Sequence, residues 1–120
     1  MTPPRPNRAR RPEKQVQADV VRLFRQFGGE VIDTSQPFAA AITPGLADLL
    51  VFFPRRHQMC FFETKAAGGR QSAAQQRFQG LVEACGGHYV LGGMDEAIAY
   101  LQEIGLVPTT YRRAGLAAGR

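Results

Sequence analysis

Three charged residues stand in stretches that are otherwise apolar. Asp48 lies near the start of Leu46–Phe53, and Glu63 and Lys65 lie at the end of Met59–Lys65. Side chains two apart on a strand share a face, so Glu63 and Lys65 project together while Phe62 and Thr64 point the other way. The polar connector Pro54-Arg55-Arg56-His57-Gln58 is of hairpin length. Pairing through it carries Asp48 across to Glu63 and Lys65, setting two carboxylates and one ammonium at one edge of a sheet. Carboxylates forced together resist ionising unless a cation sits between them. A hard divalent ion such as Mg2+ accepts carboxylate, carbonyl and water oxygens. It can acidify a water and neutralise charge on a phosphate. Lys65 would then stand beside the metal, placed to hold or deprotonate the attacking water and to contact the scissile phosphate. A Glu-x-Lys at a strand end is most often a plain surface ion pair, and Asp48 after Pro44-Gly45 could be a turn residue. The joint pattern favours chemistry: an aspartate entering one apolar strand, a hairpin link, and Glu-x-Lys leaving the next.

The elements that must position these groups are legible from periodicity. Val16, Val20, Leu23, Phe24 and Phe27 form one stripe of an amphipathic helix beginning near Glu13, and Gly28-Gly29 ends it. Glu30–Thr34 is short and β-branched, a strand. A loop with Pro37 and Pro44-Gly45 leads to the strands over 46–53 and 59–65. Gly68-Gly69 is a loop, and Ser72-Ala73-Ala74-Gln75 has the form of a capping box. The helix it opens runs to about Ala84, with Phe78, Leu81 and Val82 expected inward. His88–Leu91 is a further strand, and Asp95 is expected to cap a last helix that buries Ile98, Leu101 and Ile104. The order α-β-β-β-α-β-α implies a mixed sheet flanked by helices and dry on both faces.

Composition excludes several classes. One domain is expected from 120 residues, with hydrophobic content of 44% supporting a real core. Two cysteines, Cys60 and Cys85, give neither a disulfide framework nor a paired zinc spacing. They are expected as small buried apolar residues. No apolar run approaches the ~20 residues a bilayer span needs, and the proline- and arginine-rich start is not a secretory signal. No membrane role and a reduced cytoplasmic setting are therefore expected. The net charge of +5 points towards polyanions. Its distribution is uneven: residues 1–14 carry +4, residues 111–120 carry +3, and the middle carries −2. Residues 1–12 are expected to be a disordered basic tail, 13–106 the folded domain, and 107–120 a basic C-terminal tail. His57 is expected to be solvated and His88 to make a local hydrogen bond. Phe61, Phe62, Phe78 and Tyr89 are expected in the core.

The ordered set Gly45-Leu46-Ala47-Asp48, Glu63-Thr64-Lys65 and Ser72-x-x-Gln75 resembles the PD-(D/E)XK nuclease superfamily, specifically its VRR-NUC branch. The likeness extends over residues 13 to about 104. It implies an α/β fold, the αβββαβ(α) restriction-endonuclease-like core with a mixed sheet flanked by helices. It also implies Asp48 and Glu63 as metal ligands, with the Thr64 backbone carbonyl a third, and Lys65 as the catalytic lysine. Glu13 matches the helix-borne acid that completes the site or a second metal position. An acid there also suits the helix dipole, but it lies three residues before Val16 and so shares the core-facing side. Gln75 matches the glutamine aimed at the site from the following helix. The capping role competes for that side chain, which is not expected to serve both fully. Ala47 stands where the superfamily's name records proline, a position that shapes the turn and carries no functional group. Gly68-Gly69-Arg70-Gln71 resembles the glycine-rich turn after Glu-x-Lys, where backbone can approach a phosphate. Gly69, Arg70, Arg77 and the tail residues Arg10 and Arg11 are the DNA contacts expected.

The activity implied is an Mg2+- or Mn2+-dependent DNA endonuclease selective for branched or flapped DNA, bacterial or phage-encoded. A Holliday-junction resolvase would need a symmetric homodimer, so that two sites cut two strands. A non-catalytic basic DNA-binding module is the third reading. It expects salt-dependent binding that survives loss of Asp48 and Glu63, and it leaves the charges inside apolar strands unexplained.

Overall fold

The computed structural model describes residues 12–34 and 43–112. The loop around Pro37 and the tail residues Arg10, Arg11 and Arg113 to Arg120 lie outside them. Helix α1 (Glu13–Gln26) leads to β1 (Glu30–Asp33) and β2 (Leu49–Phe53). A 3-10 turn (Pro54–Arg56) joins β2 to β3 (Gln58–Thr64), then α2 (Ala73–Ala84), β4 (His88–Gly92) and α3 (Met94–Glu103) follow. The sheet order is β1-β2-β3-β4. The first two pairings are antiparallel and β3–β4 is parallel, so the sheet is mixed, and α2 makes the crossover a parallel neighbour requires. Among the described residues no helix is long and apolar enough to cross a membrane.

Helix α1 ends as its glycine pair requires. Gly28 takes φ +86°, its amide bonds the Arg25 carbonyl, and the Gly29 amide bonds that of Phe24. This is a Schellman closure, which satisfies carbonyls the helix end would otherwise leave bare. The hairpin link is closed by His57 in the left-handed region, exposed as expected.

The core lies between the sheet and the α1/α3 layer. Val20, Leu23 and Phe24 of α1 and Ala97, Ile98, Tyr100 and Leu101 of α3 meet the alternating face Leu49, Val51, Phe53, Cys60 and Phe62. Phe24 sits at the centre, its ring edge-on to Phe53 and to Phe62 at 5.5 Å each, a favoured aromatic geometry. Packing continues past Gly105: Val107 is buried and Tyr111 stacks against Phe27. His88 makes its local bond, Nδ1 to the Tyr100 hydroxyl at 3.3 Å.

The opposite face departs from expectation, because among the described residues α2 alone lies against it. Phe78 of α2 packs on Phe61 and Tyr89, which covers β3 and β4. Leu81, expected inward, is 56% exposed, and Ile32 of β1 and Met59 of β3 are 51% and 43% exposed. The register puts Ile32 opposite Leu50 and Met59 opposite Phe52, all on this same face. A single 12-residue helix is too narrow to cover four strands, so this face is not dry. Three smaller expectations also fail. Phe78 and Val82 are only half-buried, and Cys85 is exposed at the end of α2. The cap of α3 is Gly93, whose amide donates to Glu96, so Asp95 lies within the first turn.

Candidate active site

Asp48 and Lys65 stand one residue outside the strands, not within them, since β2 begins at Leu49 and β3 ends at Thr64. The register still unites them. Leu49 pairs with Phe62, so the preceding Asp48 falls beside Glu63 and Thr64. The Thr64 amide donates to Asp48 Oδ2 at 2.9 Å. The Asp48 backbone is tied in turn to the end of β1: its carbonyl accepts from the Thr34 amide at 2.8 Å, and the Thr34 hydroxyl donates to the Ala47 carbonyl. The turn before it relies on Gly45, at φ +85°, whose missing side chain leaves room for the Ala74 backbone at the start of α2. Glycine is the one residue that tolerates both the angle and the contact.

Glu63 is 1% exposed. Its Oε2 accepts from Gln75 Nε2 at 2.7 Å and lies 3.5 Å from Lys65 Nζ. Its Oε1 is buried with no hydrogen-bond partner. Burial foremost, and then the neighbouring Asp48 carboxylate, push the Glu63 carboxyl up to about 7 against the pull of Lys65. Burial also raises Asp48, opposed by the Thr64 amide and reinforced by Glu13 and Asp33. A buried carboxylate oxygen without a donor costs on the order of 1–3 kcal/mol. Two such acids side by side form a locus where a cation is the natural partner.

Gln75 resolves the expected competition, because its amide has two ends. Oε1 accepts from the Ser72 amide at 2.8 Å and completes the capping box, while Nε2 donates to Glu63. One side chain thus ties the start of α2 to the end of β3. Gln75→Ala should cost about 1–2 kcal/mol through the cap and the lost bond to Glu63. The check is a urea unfolding midpoint compared with that of Gln75→Glu, which keeps the capping acceptor and adds a like charge.

The other expected residues are placed as follows. Glu13 opens α1 and lines, with Asp48, a cavity of about 840 Å³ between α1 and β1. Gly69 and Lys65 line a second cavity, of about 460 Å³, reaching the start of α3. Arg70 and Arg77 are exposed, the first after the glycine turn and the second on α2. Two neighbours of the site escaped the sequence reading. Asp33 is near enough to raise Asp48, and Gln17 bonds Asp33 from α1 at 3.4 Å. The signal was available: in an antiparallel pair the end of β1 lies beside the start of β2.

Among the described residues no three His, Cys, Asp or Glu side chains come together as a cage. Asp48 and Glu63, with backbone and water oxygens, are donors of the kind a hydrated hard ion such as Mg2+ takes. The unpartnered Glu63 Oε1 is the observation that makes this donor set fit.

A mixed sheet with helices on both sides, carrying two carboxylates and a lysine at one end of its two central strands, is a restriction-endonuclease-like α/β fold. No protein-family model and no curated protein sequence matches the chain. The structure is similar to a solved one described as a "VRR_NUC domain", with a TM-score of 0.63 and 25% sequence identity. The match covers 82% of this chain and 97% of that one. The resemblance drawn from the residues is thus upheld, and the fold is that of a VRR-NUC domain.

Proposed function

We propose that the chain is a nuclease domain that hydrolyses DNA phosphodiester bonds with Mg2+ or Mn2+. The observation that carries this is the desolvated pair Asp48 and Glu63, with one buried oxygen unpartnered and Lys65 at 3.5 Å. A purely structural role would be better filled by neutral groups, since a buried carboxylate beside a half-buried one opposes folding. This counts against the non-catalytic binding module.

Asp48 and Glu63 would hold the ion, with the Thr64 carbonyl between Glu63 and Lys65 as a further oxygen. A bound divalent ion supplies charge neutralisation at the phosphate and a more acidic water. The Thr64 amide fixes the Asp48 carboxylate and Gln75 fixes that of Glu63, so neither acid must reorganise during the reaction. Lys65 offers an ammonium to a non-bridging phosphate oxygen and to the attacking water. Glu13, in the first turn of α1, faces the same cavity as Asp48 and can serve a second ion or the water. Arg70, Arg77 and the basic tails, Arg10 and Arg11 included, would gather DNA. The test is a panel of junctions, flaps, single strands and duplex with and without Mn2+. Cutting of branched or flapped forms is expected, and wild-type protein that cuts none with either metal would sink the proposal.

One observation favours the resolvase variant. Ile32, Met59 and Leu81 leave an apolar face open beside α2, suited to burial against a second copy of the chain. A homodimer would set two sites against two strands. Wild-type protein should sediment as a dimer at micromolar concentration and Leu81→Glu as a monomer; wild-type protein that stays monomeric at 100 µM excludes this arrangement.

A further inference from the structure

We propose that the groove between α1 and β1 is a track for the phosphodiester backbone of a strand leaving the cut, held by Lys14, Arg22 and Arg25. The inference rests on the nuclease reading and adds a binding surface to it. The cavity that contains Asp48 runs along α1 as far as Arg25. A second cavity, of about 310 Å³, begins at Arg25 and Val31 and continues to Gly28-Gly29. The two share those lining residues, so one groove extends the length of the helix. From Glu13 to Arg25 the helical rise is about 18 Å, long enough to follow several successive phosphates of one strand.

Of the four acids that line this groove, Glu13, Asp33 and Asp48 gather at the site end, where a cation is called for, and Glu30 stands at the far end with Arg25. Arg22 and Arg25 line the far part, and both are exposed. Arg22 is joined to Asp19 at 2.5 Å yet keeps 72% of its side chain exposed, leaving its guanidinium edge open to a phosphate. Gln17 reaches from α1 to Asp33 and fixes the spacing of the two walls. Arg25 in the last helical turn is what the dipole favours, but Lys14 in the first turn runs against it. A phosphate one or two positions from the cut supplies a reason for a base there.

The test is DNA binding measured by fluorescence anisotropy in EDTA, so that cleavage plays no part. The comparison is wild type, Lys14→Ala/Arg25→Ala and the control Arg55→Ala, an exposed base of the hairpin link that lines neither cavity. Alanine favours helix and both sites are exposed, so the fold is retained. The double variant should reduce the slope of log affinity against log salt by about 2, with Arg55→Ala unchanged. Neutral methylphosphonate links two to five nucleotides to one side of the cut should weaken wild type and leave the double variant unaffected. An unchanged slope in the double variant, or wild-type protein that binds no DNA at 50 mM salt, overturns the proposal. Groove-dependent binding without cleavage would retain the track and reject the nuclease reading, whereas cleavage with an unchanged slope would do the reverse.

Discussion

Asp48→Asn should leave a folded protein that binds DNA and no longer cuts it, with the cleavage rate in Mn2+ down at least ~10³-fold. The substitution changes one oxygen to an amide and can keep the other as acceptor for the Thr64 amide, now at 2.9 Å from Oδ2, so the local backbone has no reason to move. What it removes is one of two negative charges able to hold a cation at the end of the central strands. Losing several kcal/mol of transition-state stabilisation is worth a factor of this size at 1.36 kcal/mol per decade. Lys65→Ala should fall comparably by a different route. It removes the ammonium 3.5 Å from Glu63 Oε2 while both carboxylates remain. Lys65→Arg should not rescue, since a planar fork cannot replace a compact point charge in a site this enclosed. The measurement is single-turnover cleavage of a labelled flap beside a thermal melt of each variant. Asp48→Asn protein that melts like wild type and cuts within tenfold of it would show that the pair is not the catalytic centre.

The features of this site differ in how far they can be read from sequence. The pairing of Asp48 with Glu63 was legible because an antiparallel hairpin has a register that turn length nearly fixes. One observed pair, Leu49 with Phe62, places all the rest. Strand ends were less legible, since the apolar run continues into Leu46 and Ala47 while the ladder stops at Leu49. Those two residues are buried or half-buried by the turn at Gly45, not by strand pairing. Gln75 shows a different limit. Spacing revealed the capping box, but that the same amide also reaches Glu63 depends on how closely α2 approaches β3, a tertiary distance no local pattern encodes. The open face has the same origin. Phe78, Leu81 and Val82 are spaced as an inward stripe, yet only a position over the sheet decides burial, and α2 sits over β3–β4 with Leu81 beyond the cover. Asp33 falls inside the expected strand Glu30–Thr34, and only the pairing of β1 with β2 marks it as a neighbour of Asp48.

Removing divalent ions should make the protein less stable as pH rises from 5 to 8, the reverse of what most carboxylates do. Glu63 titrates near 7 in the folded protein and near 4.3 in an unfolded chain. Between those values the folded state keeps a proton that the unfolded state has lost, so stability falls with rising pH. The loss is absent below about pH 4.5 and complete a little above 7. Asp48 is shifted in the same direction, chiefly by burial, and adds to the low-pH end of the window. A gap of roughly 2.5 units at 1.36 kcal/mol each is on the order of 3 kcal/mol, or on the order of 10 °C in Tm for a domain of this size. Mg2+ or Mn2+ at pH 8 should recover much of it, because an ion at a hundred times its Kd contributes about 2.7 kcal/mol. Glu63→Gln isolates the cause from every other titration in the chain. Its amide has nearly the same shape and no charge, so in EDTA at pH 8 the variant should melt higher than wild type. At pH 5 the two should converge, and the variant should gain little from metal. Melting curves of both proteins at pH 5, 6, 7 and 8, with EDTA or with 5 mM Mn2+, read all of this at once. A wild-type Tm that is flat or rising from pH 5 to 8 in EDTA, with no response to either ion, would mean the two carboxylates are not held together as charges seeking a cation.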